Sequence, residues 1–244
     1  MRQTLAQIHA IETIGPYQRI RFLAPELAPA LEPGRPILAS QSQAYLGRTW
    51  WPCAIESAGF AVLMNSASAS RLRIGDQVDL IGPIGRGFKV NETSRNLLLI
   101  AAGADAPDPD LGPLLPLVDR ALAEGRSVTL AYAAPTTEQA YPVWALSRAI
   151  EVIRAIDADL IDLLAPDAIV WADQVFTCGS IEFTTQLTDR IRAIRFPLPN
   201  GFAQALHPAS LPCGVGACGA CWQGAQLACV DGPVFELNER PVRP

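Results

Sequence analysis

The sequence predicts three consecutive parts: an antiparallel β-barrel over residues 1–95, an α/β domain with a parallel sheet over 96–200, and a small cysteine-rich segment over 201–244. Three observations lead to this order. Short apolar alternations broken by turn residues fill the first part, and continuous apolar runs alternate with helical patterns in the second. Four of the six cysteines then lie close together in the third. The pattern is typical of a β domain followed by an α/β domain and a metal-binding segment.

The barrel is predicted from alternating apolar and polar residues, which place one face of each strand inside. The strings that show this alternation are "QRIRFLA", "RPILAS", "FAVLMN" and "DQVDLIG". Turn residues separate them at short intervals, as in antiparallel barrels.

The α/β domain is predicted from strands that are apolar throughout, because a parallel sheet is covered on both faces. "NLLLIAAG", "SVTLAYAA" and "DQVFTCGS" are such strands, and "LGPLLPLVDRALAEG" has helical spacing that ends at Gly125. Further helical segments are predicted around 143–155 and 183–194. Cys178 and Gly179 close the third strand at its carboxyl end, where ligands gather in open α/β sheets.

Composition excludes several classes of function. The chain has 244 residues, of which 50% are hydrophobic and 18% charged, and its formal net charge is -5. Without a basic run, a nucleic-acid partner is not expected. The first residues lack the apolar run of an export signal, and no stretch approaches the roughly 18 apolar residues of a membrane span. We therefore expect a cytoplasmic chain with reduced thiols and no membrane span.

The cysteine-rich segment reads "LPCGVGACGACWQGAQLACVDGPVF". Its candidate metal ligands are Cys213, Cys218, Cys221 and Cys229. Their C-x4-C-x2-C spacing with a later fourth cysteine is that of plant-type 2Fe-2S clusters, whereas structural zinc usually takes two well-separated pairs. Gly214, Gly216 and Gly219 can adopt positive φ and turn backbone N–H groups toward the sulfurs. A 2Fe-2S cluster is thus favoured over zinc, with a disulfide or unused thiols as the remaining alternatives.

Two strings carry a resemblance to a known family. "CGVGACGAC" followed by "ACVDGPVF" is similar to the cluster segment of the electron-transfer subunit of NAD-linked, two-subunit dihydroorotate dehydrogenases. "GDQVDLIGPIGRGF", from Gly75 to Phe88, resembles the motif at the end of the barrel in the same ferredoxin reductase-like flavoproteins. The resemblance implies a ferredoxin reductase-like fold with an FAD-binding barrel, a nicotinamide-binding domain and a 2Fe-2S segment. It also implies a flavoprotein catalytic subunit as redox partner, in a step of pyrimidine biosynthesis.

The flavin motif of that family departs from its pattern here. The family places an arginine, a proline, an apolar residue and a hydroxyl residue where this chain has "WPCA", so Trp51 stands at the arginine position. The glycine turn that contacts the flavin phosphates corresponds to "NSASASRL". The residues left at the FAD position by resemblance are Pro52, Cys53, Ser66 and Ser68. Arg48 and Arg71 are the candidates to replace the missing cation, and FAD retention stays open.

The nicotinamide motif departs as well. The family follows its first α/β strand with a triple-glycine turn that admits a phosphate, whereas this chain has an acidic, proline-containing loop over 104–113. Asp105, Asp108 and Asp110 would repel phosphate oxygens, so tight binding of NAD is not expected.

Three functions remain from the sequence. The first is an iron-sulfur electron-transfer subunit that relays single electrons while its FAD and NAD sites have degenerated. The second is a working FAD-containing subunit that passes electrons to NAD. The third is a zinc-stabilised interaction module without a redox role. No residues for group-transfer catalysis are identified, so a subunit of an oxidoreductase is expected rather than a self-sufficient enzyme.

Overall fold

The computed structural model describes residues 1–40, 47–102, 111–156 and 159–237. Its first sheet has seven strands in the order β4-β3-β7-β1-β2-β6-β5, and every pair of neighbours is antiparallel. The strands are β1 (Arg2–Ile14), β2 (Tyr17–Leu23), β3 (Ile37–Ser40), β4 (Arg48–Trp50), β5 (Pro52–Glu56), β6 (Gly59–Asn65) and β7 (Gln77–Gly82). One short helix, α1 (Ser66–Ala69), follows β6. The sheet is the nearly closed barrel that the alternating pattern predicts.

The barrel interior holds the apolar half of each alternating strand. Ile20 and Phe22 of β2 are fully buried there, and Phe22 lies 5.1 Å from Phe60 and 5.2 Å from Trp50 between ring centroids. Trp50 is therefore a core residue, because only 6% of it is exposed. The outward residues of the same strands, such as Arg19 and Arg21, are left to face solvent or the second domain.

The second sheet has the order β10-β9-β8-β11-β12-β15, with only the β12–β15 pair antiparallel. Its strands are β8 (Asn96–Ala102), β9 (Ser127–Ala134), β10 (Glu151–Ile156), β11 (Gln174–Gly179), β12 (Ala203–Leu206) and β15 (Val234–Glu236), and β13 (Trp222–Gln223) pairs separately with β14 (Gln226–Leu227). The helices are α2 (Leu115–Ala123), α3 (Leu160–Leu163), α4 (Pro166–Trp171) and α5 (Ile181–Ile194). Three 3₁₀ turns cover Ala28–Ala30, Gly112–Leu114 and Val143–Ala145. The predicted domain limits at 95 and 200 stay a prediction, and the parallel sheet continues into β12.

Most predicted elements of the α/β domain are present. The run predicted as the first buried strand forms β8, whose five central residues are buried. Gly125 follows α2 with φ +69°, which suits a residue that ends a helix. The helix predicted over 183–194 begins two residues earlier, because Ser180 caps it by accepting a hydrogen bond from the Phe183 N–H at 3.1 Å.

The helical prediction over 143–155 is wrong. Only a 3₁₀ turn forms at Val143–Ala145, and β10 follows as an edge strand parallel to β9. The Thr129 hydroxyl donates to Glu151 Oε2 at 3.0 Å across this pair. Pairing with the free edge of β9 stabilises the β-branched residues of β10 more than a helix with this apolar spacing would.

Candidate metal centre

The cysteine-rich loop between β12 and β15 packs on the barrel through a small apolar cluster. Leu211, Cys221, Ala228 and Cys229 of the loop lie there with Leu38 and Ile84 of the barrel. The Leu211 N–H also donates to Thr49 Oγ1 at 3.0 Å. The loop is thus held by the first domain as well as by β15.

Three glycines give the loop its shape. Gly214, Gly216 and Gly219 have φ values of +66°, +78° and +67°, as the sequence predicts. A Cβ atom on Gly214 would lie 2.8 Å from Ile84 Cδ1, and one on Gly216 would lie 2.9 Å from Val230 Cγ2. The left-handed conformation and the close packing both require glycine.

The four sulfurs form two pairs. The Sγ atoms of Cys221 and Cys229 lie 3.3 Å apart in the buried part of the loop. Cys213 and Cys218 form the outer pair, in which the Cys218 thiol stabilises the Cys213 thiolate and lowers its pKa, and Cys218 is exposed. Within the described residues, no three cysteine, histidine or acidic side chains converge as a ready site for one metal ion. Four thiolates arranged as two pairs suit a centre with two metal ions, each held by one pair.

Backbone N–H groups point at the sulfurs. The N–H of Gly216 donates to Cys229 Sγ at 3.1 Å. The N–H groups of Val215 and Cys218 and the Cys218 thiol lower the pKa of Cys213 to about 6, because hydrogen bonds stabilise its thiolate. The loop therefore favours negative charge at its outer end.

The inner pair has the opposite electrostatic environment. Burial, together with the adjacent Cys221 sulfur, raises the pKa of Cys229 to about 11. Two deprotonated sulfurs at this separation repel each other, and a metal cation between them would remove that cost. The donor set and its charge requirements fit a metal cluster.

Two of the four residues at the predicted FAD position lie in the packed surface between the two domains. Pro52 and Cys53 of β5 are buried, and burial raises the pKa of the Cys53 thiol to about 12. Cys53 belongs to the apolar cluster that joins the barrel to the 3₁₀ turn at Gly112–Leu114. A Cβ atom on Gly112 would lie only 3.8 Å from Cys53 Cβ. The β5 strand thus contacts the second domain directly at this point.

Ser66 and Ser68 lie in α1, where the family has its phosphate-contacting turn. The side chain of Asn65 caps this helix and accepts the Ser68 N–H at 2.8 Å. The Ser66 hydroxyl lies 3.5 Å from the Pro16 carbonyl oxygen, to which it donates. The Ser68 N–H and the Ser66 hydroxyl, which could donate to a phosphate, are therefore already bonded within the chain.

Arg48 and Arg71 are both exposed. Sequence reasoning missed Arg19, which projects from β2 toward the second domain and donates to Tyr141 Oη at 3.2 Å. Its Nε is buried and has no hydrogen-bond partner among the described residues. Arg19 pairs in register with Leu63, which belongs to the apolar cluster between the two domains. The Arg19 side chain therefore lies on the barrel face that packs on the second domain. The alternation in β2, with Ile20 and Phe22 inside, was the signal that places Arg19 outside.

The predicted nicotinamide position is described only in part. Cys178 and Gly179 do end β11 at the carboxyl edge of the sheet, and Cys178 is fully buried. Asp105, Asp108 and Asp110, with most of the acidic loop over 104–113, lie outside the described residues.

Comparison with known proteins bears on both the segment and the fold. The family model of the iron-sulfur cluster binding domain of dihydroorotate dehydrogenase B matches residues 209–239, which include the four cysteines. The electron transfer subunit of dihydroorotate dehydrogenase B (NAD(+)) from Shouchella clausii (strain KSM-K16) is 28% identical over 190 residues, covering 68% of this chain and 66% of that protein. A probable subunit of the same kind from Methanocella arvoryzae is 27% identical over 175 residues, covering 68% and 64%. The matches thus span about two thirds of these relatives.

Solved structures show the same fold. An NADH-dependent reduced ferredoxin-NADP oxidoreductase superposes with a TM-score of 0.77 at 19% identity, covering 97% of this chain and 89% of that one. The ferredoxin reductase in carbazole 1,9a-dioxygenase gives a TM-score of 0.68 at 14% identity, covering 84% and 68%. The fold is ferredoxin reductase-like, as predicted. Of the helices that the structure describes, none has the length and apolar character to cross a membrane.

Proposed function

We propose that this chain is an iron-sulfur electron-transfer subunit of the dihydroorotate dehydrogenase B type, which relays single electrons through a 2Fe-2S cluster and has degenerate FAD and NAD sites. The observation that carries the proposal is the pairing of four cysteine sulfurs within the matched segment 209–239. A cluster bound there supplies one-electron chemistry. The rest of the chain holds it in place.

The two sulfur pairs support two irons over one zinc. Cys213 and Cys218 would hold one iron, and Cys221 and Cys229 the other. A tetrahedral zinc would need all four sulfurs around a single point. The N–H groups that point at Cys213 and Cys229 stabilise the negative charge that such a cluster carries.

The surface around the outer pair supports a partner protein. Val215, Trp222 and Val230 are 50%, 58% and 45% exposed. Trp222 lies beside Gly219 and Val230 beside Gly216, the two glycines on either side of the exposed Cys218 in the sequence. A flavoprotein catalytic subunit that docked here would bring its redox group close to the cluster.

Metal and flavin analysis of the anaerobically purified chain tests this function. We expect about two irons and two acid-labile sulfides per chain, with the visible absorbance and reduced-state EPR signal of a 2Fe-2S cluster. A colourless protein that contains stoichiometric zinc would contradict the proposal.

The chain is expected to bind no stoichiometric FAD. An arginine that holds the pyrophosphate contributes about 1.5–3 kcal/mol, and Trp51 occupies its position. Asn65 already accepts the Ser68 N–H that a phosphate would otherwise use. Release of flavin on denaturation, measured by fluorescence, checks this prediction. One FAD per chain in the native complex would contradict it.

One observation favours a second candidate, a subunit that keeps FAD and passes electrons to NAD. Arg19 offers a partly buried guanidinium on the barrel face that packs on the α/β domain, and its Nε has no hydrogen-bond partner among the described residues. If FAD is found, Arg19→Gln should release it, whereas Arg48→Gln should not.

Tight NAD binding is not expected either. The acidic sequence of the loop over 104–113 places carboxylates where a phosphate-binding turn would need glycines. Isothermal titration calorimetry of the purified chain with NADH should detect no binding with a micromolar dissociation constant. Binding in the micromolar range would restore the nicotinamide step to the proposed function.

A further inference from the structure

A second candidate site lies in the cleft where the barrel leads into the α/β domain. The cleft has a volume of about 790 Å³, within the range of small-molecule sites. Its walls are the segment 85–93, Glu32 and Arg35 before β3, and Arg120 of α2. Gln174 bonds the Asn91 backbone in the wall of the cleft and is the first residue of β11. The cleft therefore lies at the amino-terminal edge of the parallel sheet. The cleft is therefore distinct from the carboxyl edge, where Cys178 and Gly179 lie.

The charge in the cleft is opposite to that of the whole chain. Arg35, Arg86, Lys89 and Arg120 face two acids, Glu32 and Glu92, whereas the chain as a whole has a net charge of -5. Arg35 is paired with Glu32, and Arg120 with Glu124. Arg86 and Lys89 make no ion pair with any residue that the structure describes. Lys89 is also the only lysine in the sequence. With Glu92 as the one acid of the cleft that has no ion pair among the described residues, these two cations leave the cleft a net positive charge, which attracts anions.

The backbone that carries these cations is fixed from below. The Gln204 side chain is 5% exposed; it accepts the Lys89 N–H at 2.9 Å and donates to the Lys89 carbonyl at 2.7 Å. Gln174 is fully buried; it accepts the Asn91 N–H at 2.7 Å and donates to the Lys89 carbonyl at 3.2 Å. Two buried amides thus hold the segment 89–91 in one conformation. A ligand would meet a preorganised site and lose little affinity to ordering of the backbone.

The same loop is braced on both sides of Arg86. A Cβ atom on Gly87 would lie 2.4 Å from the Pro33 carbonyl oxygen, and one on Gly85 would lie 2.1 Å from that of Gly232. The Arg86 N–H donates to Gly232. The N–H groups of Arg86, Phe88, Lys89 and Asn91 are already bonded within the chain. Recognition of an anion is therefore assigned to the side chains of Arg86, Lys89 and Arg35.

The walls also include apolar and neutral polar groups. Val90 lines the cleft and is half-buried, while Asn91 and Thr93 add an amide and a hydroxyl. Guanidinium and ammonium groups bind phosphate by charge-assisted hydrogen bonds, and apolar walls take the uncharged body of a ligand. From this combination we propose that the cleft binds a small phosphate-bearing molecule of nucleotide size, with its phosphates on Arg86 and Lys89.

Protection of the single lysine tests the proposal on the full-length chain. An amine-reactive acetylating reagent should modify Lys89, which mass spectrometry identifies by its peptide. ADP, added at constant ionic strength, should protect Lys89 in a saturable manner, and pyrophosphate should protect it as well. Adenosine should not, because it lacks the charge. Failure of ADP to protect Lys89 at millimolar concentration, or equal protection by adenosine, would overturn the proposal.

Charge-matched variants make the test specific. Arg86→Gln should raise the ADP concentration for half-protection about tenfold, the usual effect of one lost charge-assisted hydrogen bond. Arg148→Gln removes the same charge from an exposed site outside the cleft and should leave protection unchanged. Equal ADP dependence in the Arg86→Gln variant and the parent would refute the assigned site. Unchanged melting temperatures show that both variants are folded.

Discussion

Replacing Cys221 with serine is expected to remove the iron-sulfur absorbance and to reduce the iron content from about two per chain to near zero. Serine is a poor replacement because its hydroxyl remains protonated near neutral pH and its oxygen is a harder ligand than sulfur. Cys221 is 4% exposed and lies 3.3 Å from Cys229 between sulfurs, so no water or other side chain can readily take its place. Iron and sulfide analysis with the visible spectrum measures the result.

Cys178→Ser is the matched control, since Cys178 is also buried but lies on β11 in the α/β domain. This variant should keep its full cluster content in the folded fraction. If Cys221→Ser retained the parent's iron and absorbance, Cys221 would not be a ligand. If both variants lost the cluster equally, the loss would reflect damage to the fold rather than to the metal site.

The glycine turns of the cysteine-rich segment could be predicted from sequence because their determinants are local. The spacing of four cysteines sets which sulfurs can reach one centre, and glycines between them permit the positive φ values seen at Gly214, Gly216 and Gly219. The buried strand β8 was predictable for a similar reason, since a run of apolar residues needs cover on both faces.

Features that depend on distant partners could not be predicted in this way. The segment around β10 has apolar residues at helical spacing, but the free edge of β9 decides its conformation. Arg19 reaches Tyr141 across 122 positions, which no local pattern reveals. The same holds for the cleft, where Gln174 and Gln204 fix Lys89 from far along the chain.

Replacing Gly85 with alanine is expected to destabilise the chain strongly and to lower its cluster content, although Gly85 is not a ligand. Gly85 has φ +61°, and a Cβ atom there would lie 2.1 Å from the Gly232 carbonyl oxygen. Gly232 follows Cys229 by three residues and accepts the Arg86 N–H. The methyl group must therefore push apart the barrel exit and the segment that carries Cys229, breaking that hydrogen bond.

Gly125→Ala separates this clash from the cost of backbone strain. Gly125 has a similar φ of +69°, but a Cβ atom there would have no atom within 4 Å. Both variants pay about 1–2 kcal/mol for a left-handed non-glycine residue. Overpacking against Gly232 should reduce the free energy of unfolding of Gly85→Ala by a further 1–3 kcal/mol or so. Each kcal/mol corresponds to roughly 2–4 °C of melting temperature. The melting temperature and the iron content should therefore both be lower in Gly85→Ala than in Gly125→Ala. Equal melting temperatures and equal iron content in the two variants would show that contact between the barrel exit and the Cys229 segment does not support the metal centre.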